Sequence, residues 1–475
     1  MKIAGVYPFE FVNNTNVQNL YGEPIGLESV LANAEKSGHE TKLFLPVKDN
    51  LLEKKSEEEL VGQILEFKPD VAAFSMYSCQ FEFGKRIAEK IKQKKQSIRI
   101  VAGNRHATTN TKELDYPFDF YVIGEGENTF AELLHEMENG RDYENVDGIA
   151  FKKNEKVIIT RPRKFEENLD SLPDAKRNNA LMKQTYNGLG FPAAGKKPQI
   201  SIVEYSRGCP GFCKFCDNAL VWKRCVRFKS AKKIVDEMAA LKKKGIEMFY
   251  FMDLNFTSSK EKVFEFCDEI ESRKQEFNWY CMSNIDTATP KILKRLKEAG
   301  CFKINYGVES TNDKSLSQMK KGLARKKMLE SRNCIKVLKK TQKTGLMTGG
   351  YYIIGFPWET KESIIQDAKK LSDYTIHCLN VGIATPHPGT AWRTEFDDKD
   401  LINEWKNYDR KHLCYKHPSF DEKTIQGIQA KICSDFYKNP KYMENVQTLI
   451  SIEPKFEESF EDYFKITGIT GGTKK

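Results

Sequence analysis

No apolar run in this 475-residue chain approaches the ~18 residues that a membrane-crossing helix needs. The first residues, MKIAGVYPFEF, lack the apolar centre and small-residue cleavage site of a secretory leader. The chain is therefore expected in the cytoplasm, with no membrane partner. Nothing matches Gly-x-Gly-x-x-Gly, so a dinucleotide loop is not expected. No repeat or low-complexity segment stands out. No sign of charge dominates: 76 Lys+Arg face 66 Asp+Glu, and the net +10 is diluted over the whole length. A nucleic-acid partner is not required. Hydrophobic residues at 40% and aromatics at 11% exclude a collagen-like chain and make global disorder a poor description. The length suits about three domains of ~150 residues.

Cysteine, in contrast, is plentiful, with 12 in all. A reducing compartment does not favour a disulfide frame. Most of the cysteines are scattered, and Cys267, Cys301, Cys334 and Cys433 sit at apolar helix or strand positions, where a thiol packs as a small hydrophobe. Three are different, because Cys209, Cys213 and Cys216 fall within eight residues.

The pattern along the chain is α/β. In residues 1–140, apolar strands (Lys2–Val6, Thr41–Leu45, Val71–Ser75, Ile98–Ala102, Phe120–Ile123) alternate with helices. Leu27, Val30, Leu31 and Ala34 fall on one helical face, and Gly38 is placed to end that helix. Such alternation predicts a doubly wound parallel sheet of the flavodoxin or Rossmann kind, whose ligands sit beyond the carboxyl ends of the strands. Residues 141–195, with possible short strands at Gly148–Lys152 and Lys156–Thr160, then Pro162, Pro173 and a Gly/Pro/Ala segment, read as a linker. A second series over 196–400 holds six strand candidates, from Ile200–Tyr205 to Asn380–Ala384, with helices between. It predicts a partial (β/α)6, TIM-like barrel with its chemistry at the strand C-termini. The region 401–475 reads as helical, with Ile425, Ile428, Ile432 and Phe436 at helical spacing.

Cys209-Pro-Gly-Phe-Cys213-Lys-Phe-Cys216 follows the first strand of that second series on a loop opened by Gly208. Three soft, anionic thiolates so close together can converge on one iron–sulfur centre. A structural zinc or a fully protein-ligated cluster takes four ligands, and Cys225 is the candidate for a fourth.

The Cys-x3-Cys-x2-Cys spacing, with Phe215 before its last cysteine, resembles the radical S-adenosylmethionine (SAM) superfamily. The resemblance implies that Cys209, Cys213 and Cys216 hold a 4Fe–4S cluster whose fourth iron is chelated by SAM. One electron would then split SAM into methionine and a 5′-deoxyadenosyl radical. It also implies SAM contacts at the other strand ends: Asp253 and Asn255 after the second strand, Ser283 after the third, Glu309 after the fourth, and Ile353 and Gly355 in the turn after the fifth. Trp358 replaces the usual glycine of that turn, and Glu359 is expected to serve the following helix. Asn284 stands where many relatives carry arginine.

The first 140 residues resemble the cobalamin-binding domains that precede a subset of these barrels. The pieces are Phe74-Ser75-Met-Tyr77, Ala102-Gly103-Asn-Arg-His106 and Gly124-Glu125-Gly126-Glu127. The resemblance implies that Ser75 and Gly103 face the nucleotide tail of cobalamin, with Tyr77, Gly124, Glu125 and Gly126 on the same rim. No Asp-x-His-x-x-Gly is present, so an axial histidine is not expected from that motif. His106 is a ligand, a packing residue near the cofactor, or neither. Together these features imply a cobalamin-dependent radical SAM methyltransferase acting on a small molecule or peptide, fed by a low-potential donor such as flavodoxin or ferredoxin. A cyclase, oxidase or rearrangement enzyme with the same cofactors, or a non-catalytic Fe–S or corrinoid-binding protein, are the alternatives.

Overall fold

In the computed structural model, the apolar runs become the parallel strands of two separate sheets. Residues 1–9, 23–48, 53–111, 114, 116–140, 142–178, 198–322, 330–402 and 404–467 are described. They divide into two units, Met1–Gln184 with Glu404–Tyr408, and Thr185–Asn403 with Asp409–Lys475.

In the first unit, β1 (Lys2–Val6), β2 (Glu40–Phe44), β3 (Val71–Ser75), β4 (Arg99–Gly103) and β5 (Phe120–Val122) are parallel. The sheet runs in the order β2-β1-β3-β4-β5 and continues into β6 (Ile149–Lys153) and β7 (Lys156–Ile159), which are antiparallel. All five residues of β3 are buried, as a central strand covered on both faces requires. Helix α1 (Ile25–Lys36) buries Leu27, Leu31 and Ala34, and the chain leaves it through Gly38 at φ +93°. Helix α2 (Glu57–Glu66) starts from a reciprocal Ser56–Glu59 capping box. The two short strands expected in the linker are β6 and β7, which close one edge of the first unit's sheet; residue 141 and residues 179–195 of that stretch lie outside the described residues.

The second unit holds six parallel strands: β8 (Ile200–Val203), β9 (Met248–Phe251), β10 (Asn278–Ser283), β11 (Cys301–Glu309), β12 (Met347–Ile354) and β13 (Cys378–Ile383). Their spatial order is their chain order, β8 through β13, an open half-barrel. Alternate residues face the helices. On that outer side Phe251, Phe256 and Phe266 surround the fully buried Trp279, with ring centroids 5.1–5.4 Å away. Truncating such a tryptophan costs about 3–5 kcal/mol. Beyond the barrel lie helices Glu422–Lys438, Pro440–Ile452 and Glu457–Thr467. The first buries Ile425, Ile428, Ile432 and Phe436, the stripe its spacing predicts. No helix among the described residues is long and apolar enough to cross a membrane.

Candidate functional site

The cluster loop leaves β8 through Ser206–Arg207, which pairs antiparallel with Arg227–Phe228. Gly208 follows at φ +99°. A Cβ there would lie 1.8 Å from the Cys225 carbonyl oxygen, so only glycine lets the two segments close. Cys225 itself is exposed. Cys209, Cys213 and Cys216 are free and half-buried. The loop is anchored on both sides of Cys213: Phe212 N donates to Gly322 O (3.4 Å) and Lys214 N to Met319 O (2.9 Å). Sulfur atoms receive donors too. Asn218 Nδ2 lies 3.2 Å from Cys216 Sγ, Gly211 N 3.4 Å from Cys209 Sγ, and Asn284 Nδ2 3.8 Å from Cys209 Sγ. Burial pushes the Cys213 thiol up and that of Cys216 to about 12. Such thiols become thiolates when a cation sits on them. Among the described residues no three His, Cys, Asp or Glu side chains enclose a single metal ion. A four-iron cluster requires a wider arrangement, because each thiolate binds a different iron.

Asp253 is fully buried and faces this loop rather than an open cleft. Its carboxylate accepts from Tyr205 N (3.1 Å), from Ser206 N (2.6 Å) and from Ser206 Oγ. Burial raises it to about 7 against those hydrogen bonds. It therefore positions the strand end from which the cysteines depart. Asn255, also fully buried, ties the end of β10: its Oδ1 accepts from Asn284 N (3.0 Å) and Thr287 Oγ1 (3.1 Å), while its Nδ2 has no partner. Ser283 joins the same network through Thr257 and donates to Asn284 O (3.2 Å).

At the end of β11 the register slips between Gly307 and Glu309, and Glu309 adopts φ +62°. A side chain in this region is uncommon and carries strain of order 1–3 kcal/mol. The twist turns the carboxylate back over Gly307, where a Cβ would meet Glu309 Oε1 at 2.3 Å and Lys321 Nζ at 2.5 Å. Lys321 Nζ pairs with Glu309 at 2.7 Å, both side chains under 10% exposed. Burial opposes the Lys321 charge, but Glu309, Cys213 and Cys209 outweigh it and hold the ammonium well above its usual range. Lys321 was not identified from sequence. It lies twelve residues past Glu309 in the basic run Lys320-Lys321, which reads as a solvated charge patch.

The turn after β12 is built from its own residues. Gly355 takes φ +90°, and Glu359 accepts from Gly355 N (2.7 Å) and Phe356 N (2.9 Å). Glu359 thus serves the turn before it; the following helix is capped by Thr360 instead. Trp358 fits because it stacks on Phe356 at 4.7 Å and donates to Ser315 Oγ (2.9 Å). Phe215 meets the same Phe356 edge-on at 6.2 Å. Ile353 is half-buried, opposite Gly382 of β13.

On the first unit's rim, Ser75 and Gly103 are register partners at the ends of β3 and β4. Ser75 Oγ accepts from Asn104 Nδ2 (3.1 Å). A Cβ at Gly103 would meet nothing closer than 3.9 Å, so space adjoins it. Gly124, at φ +80°, has no atom within 4 Å of a would-be Cβ. Tyr77 is 45% exposed, its N–H held by Gln80 Oε1 (2.9 Å). Glu125 and Gly126 turn inward: Glu125 Oε2 accepts from Glu166 N (3.0 Å), and Gly126 packs against Val30. His106 is fully buried. Its ring stacks on Phe81 at 4.0 Å, meets Trp405 edge-on at 5.1 Å, and reaches Ser78 Oγ through Nδ1 (3.2 Å). Burial holds it neutral, with its pKa near about 3. It braces the Met76–Gln80 loop from below.

Comparison with known proteins identifies the two domains. Residues 203–395 match the Radical SAM superfamily and residues 14–134 the B12 binding domain. The chain is a radical SAM enzyme with a B12-binding domain. An uncharacterized methyltransferase of Pyrococcus horikoshii is 29% identical over 93% of this chain and 94% of its own length. The anaerobic magnesium-protoporphyrin IX monomethyl ester cyclase of Synechocystis is 27% identical over 82% of this chain and 76% of its own. The radical SAM methyltransferase TsrM of Kitasatospora setae, solved with cobalamin and a 4Fe–4S cluster, shares the fold at a TM-score of 0.72, with 14% identity, covering 97% and 99% of the two chains.

The cofactors of this radical SAM enzyme are a 4Fe–4S cluster, SAM and cobalamin. The residues present fit them: three half-buried thiols with sulfur-directed donors, an unpartnered buried amide at Asn255, a buried ammonium–carboxylate pair over Gly307, and side-chain-free space at Gly103 and Gly124.

Proposed function

We propose that this enzyme transfers a methyl group to an unactivated carbon of a small-molecule or peptide substrate. When bound, the cluster supplies the electron that splits the sulfonium of SAM, and cobalamin supplies a methyl carrier. The protein's part is binding and placement. Cys209, Cys213 and Cys216 would hold the cluster, with SAM bound beside it. Lys321 offers its ammonium to the SAM carboxylate, Glu309 holds that ammonium in place, and Asn255 Nδ2 donates into the same cleft. Gly355 admits the adenine against backbone. Ser75, Gly103 and Gly124 would make room for the nucleotide tail of cobalamin, with Tyr77 on the same rim.

The observation that carries the radical step is the cysteine loop flanked by the buried Glu309–Lys321 pair at 2.7 Å. Support for methyl transfer comes from the B12-binding domain and from relatives named as methyltransferases. The cyclase relative favours a second reading, oxidative ring closure with the same cofactors. A reducing cytoplasm, with flavodoxin or ferredoxin as donor, suits free thiols and an oxygen-sensitive cluster.

Anaerobic turnover with methyl-labelled SAM tests the assignment. Label in the product, with a mass gain of one CH2 and release of 5′-deoxyadenosine, is expected. Nucleoside release with no label in product or corrinoid would exclude methyl transfer and leave the cyclase reading.

A further inference from the structure

The turn after β12 is held from far along the chain. Gly355 sits in it at φ +90°, with no side chain to anchor the backbone. Every backbone polar group of Gly355 and Phe356 nevertheless has a partner. Glu359 takes both N–H groups, at 2.7 and 2.9 Å. The two carbonyls meet side chains 60 and 61 positions further on. Tyr415 Oη donates to Gly355 O, and His417 Nε2 lies 2.9 Å from Phe356 O, which also accepts from Glu359 N (2.9 Å).

Both donors are themselves fixed. His417 Nδ1 accepts from Ser419 N at 3.0 Å, so the neutral ring carries its hydrogen on Nε2 and gives it to Phe356 O. Burial favours that neutral ring by drawing its pKa below the usual range. The ring stacks on Phe420 at 3.6 Å and 11°. Tyr415 is 1% exposed, pairs antiparallel with Leu401 and meets Trp392 edge-on at 5.7 Å. Ile425 of helix Glu422–Lys438 supports the same turn, in ordinary contact at 3.5 Å from a would-be Cβ of Gly355. Three residues from the region after the barrel thus converge on one glycine. A turn held so keeps one backbone conformation before a ligand arrives, which spares the ligand the cost of ordering it.

We infer that Tyr415 and His417 are positioning residues for the nucleoside half of SAM, acting through the carbonyls of Gly355 and Phe356. This gives the region after the barrel a part in cofactor binding. The inference rests on the proposal that Gly355 admits the adenine.

The test compares two sulfonium ligands on the reconstituted holoenzyme by anaerobic equilibrium dialysis: SAM, and S-methylmethionine, which carries the same amino-acid sulfonium without the nucleoside. Tyr415→Phe and His417→Phe each remove one donor and keep a ring. Each is expected to weaken SAM about tenfold, the worth of one hydrogen bond, with S-methylmethionine unchanged. His417→Gln, whose amide donates in place of Nε2, is expected to hold SAM within about threefold of the unaltered chain. A merely structural role moves both ligands together or neither, and either result overturns the inference. So does a glutamine variant that binds SAM no better than His417→Phe. Tyr415→Phe removes a single buried atom and keeps the comparison available should His417→Phe not fold. If the unaltered chain prefers SAM and the variants keep that preference, only this inference fails. If the unaltered chain shows no preference for SAM, the adenine proposal fails with it, and 5′-deoxyadenosine release after dithionite shows whether the radical reading stands.

Discussion

The two rims are built by different means. The first unit's rim is shaped by omission: Gly103 and Gly124 leave space, Ser75 is small, and the titratable His106 is sealed between Phe81 and Trp405. The half-barrel's rim is shaped by charge and bonding: three thiols, a buried ion pair, a strained Glu309 and amide donors aimed at sulfur. A bulky corrinoid is recognised over a large area, so room matters most. A cluster and an amino-acid sulfonium are small and charged, so discrete partners matter most. Filling space should therefore damage the first rim selectively, and removing charge the second.

The largest effect is expected from breaking the buried pair. Lys321→Met leaves Glu309 buried and uncompensated, a cost of about 3–5 kcal/mol, and should weaken SAM binding by ~100-fold or more in equilibrium dialysis while corrinoid content stays unchanged. Next is Gly103→Leu. The residue before the helix at Asn104 has extended φ −138°, so leucine strains no backbone. It should abolish corrinoid absorbance and leave the cluster's EPR signal and uncoupled 5′-deoxyadenosine release intact; loss of both cofactors would erase the contrast between the rims.

A smaller effect concerns pH. Burial raises Asp253 and Glu359 each to about 7 from ordinary carboxylate values near 4. The folded chain therefore holds more protons than the unfolded one between those values, and stability should fall as pH rises from about 4 to 7. Chemical denaturation across that range should show the slope, reduced by up to one proton in Glu359→Gln. The smallest is Asn284→Ala. It removes a 3.8 Å donor to Cys209 Sγ and should lower the cluster potential slightly in a redox titration, because hydrogen bonds to sulfur favour the reduced cluster.

Much of this was legible in the chain. Short apolar runs such as Val71–Ser75 read as buried parallel strands once helices alternate with them, whereas the order of the strands in each sheet comes from the structure. The cysteine spacing points to the cluster because three ligands on one loop need no tertiary information. What escaped depended on distant contacts. The two short strands of the β6–β7 hairpin were legible as runs, but not their place on the edge of the first unit's sheet, because that pairing is with β5. Lys321 looked like one more surface lysine until α-helix Asp313–Gln318 turned it back toward Glu309. Asp253 was expected to contact SAM, and only the fold shows Tyr205 and Ser206 taking its oxygens. Residues 404–408, far along the chain, belong with the first unit through Trp405 on His106, a contact with no local signal.

Reductive cleavage of SAM by the anaerobically reconstituted enzyme tests the central claim most directly, with Cys209, Cys213 and Cys216 each replaced by alanine. The account predicts 5′-deoxyadenosine from the unaltered chain after dithionite, and a loss of ~1,000-fold or more with collapse of the cluster EPR signal in every variant. Nucleoside release that survives any of the three replacements would contradict it.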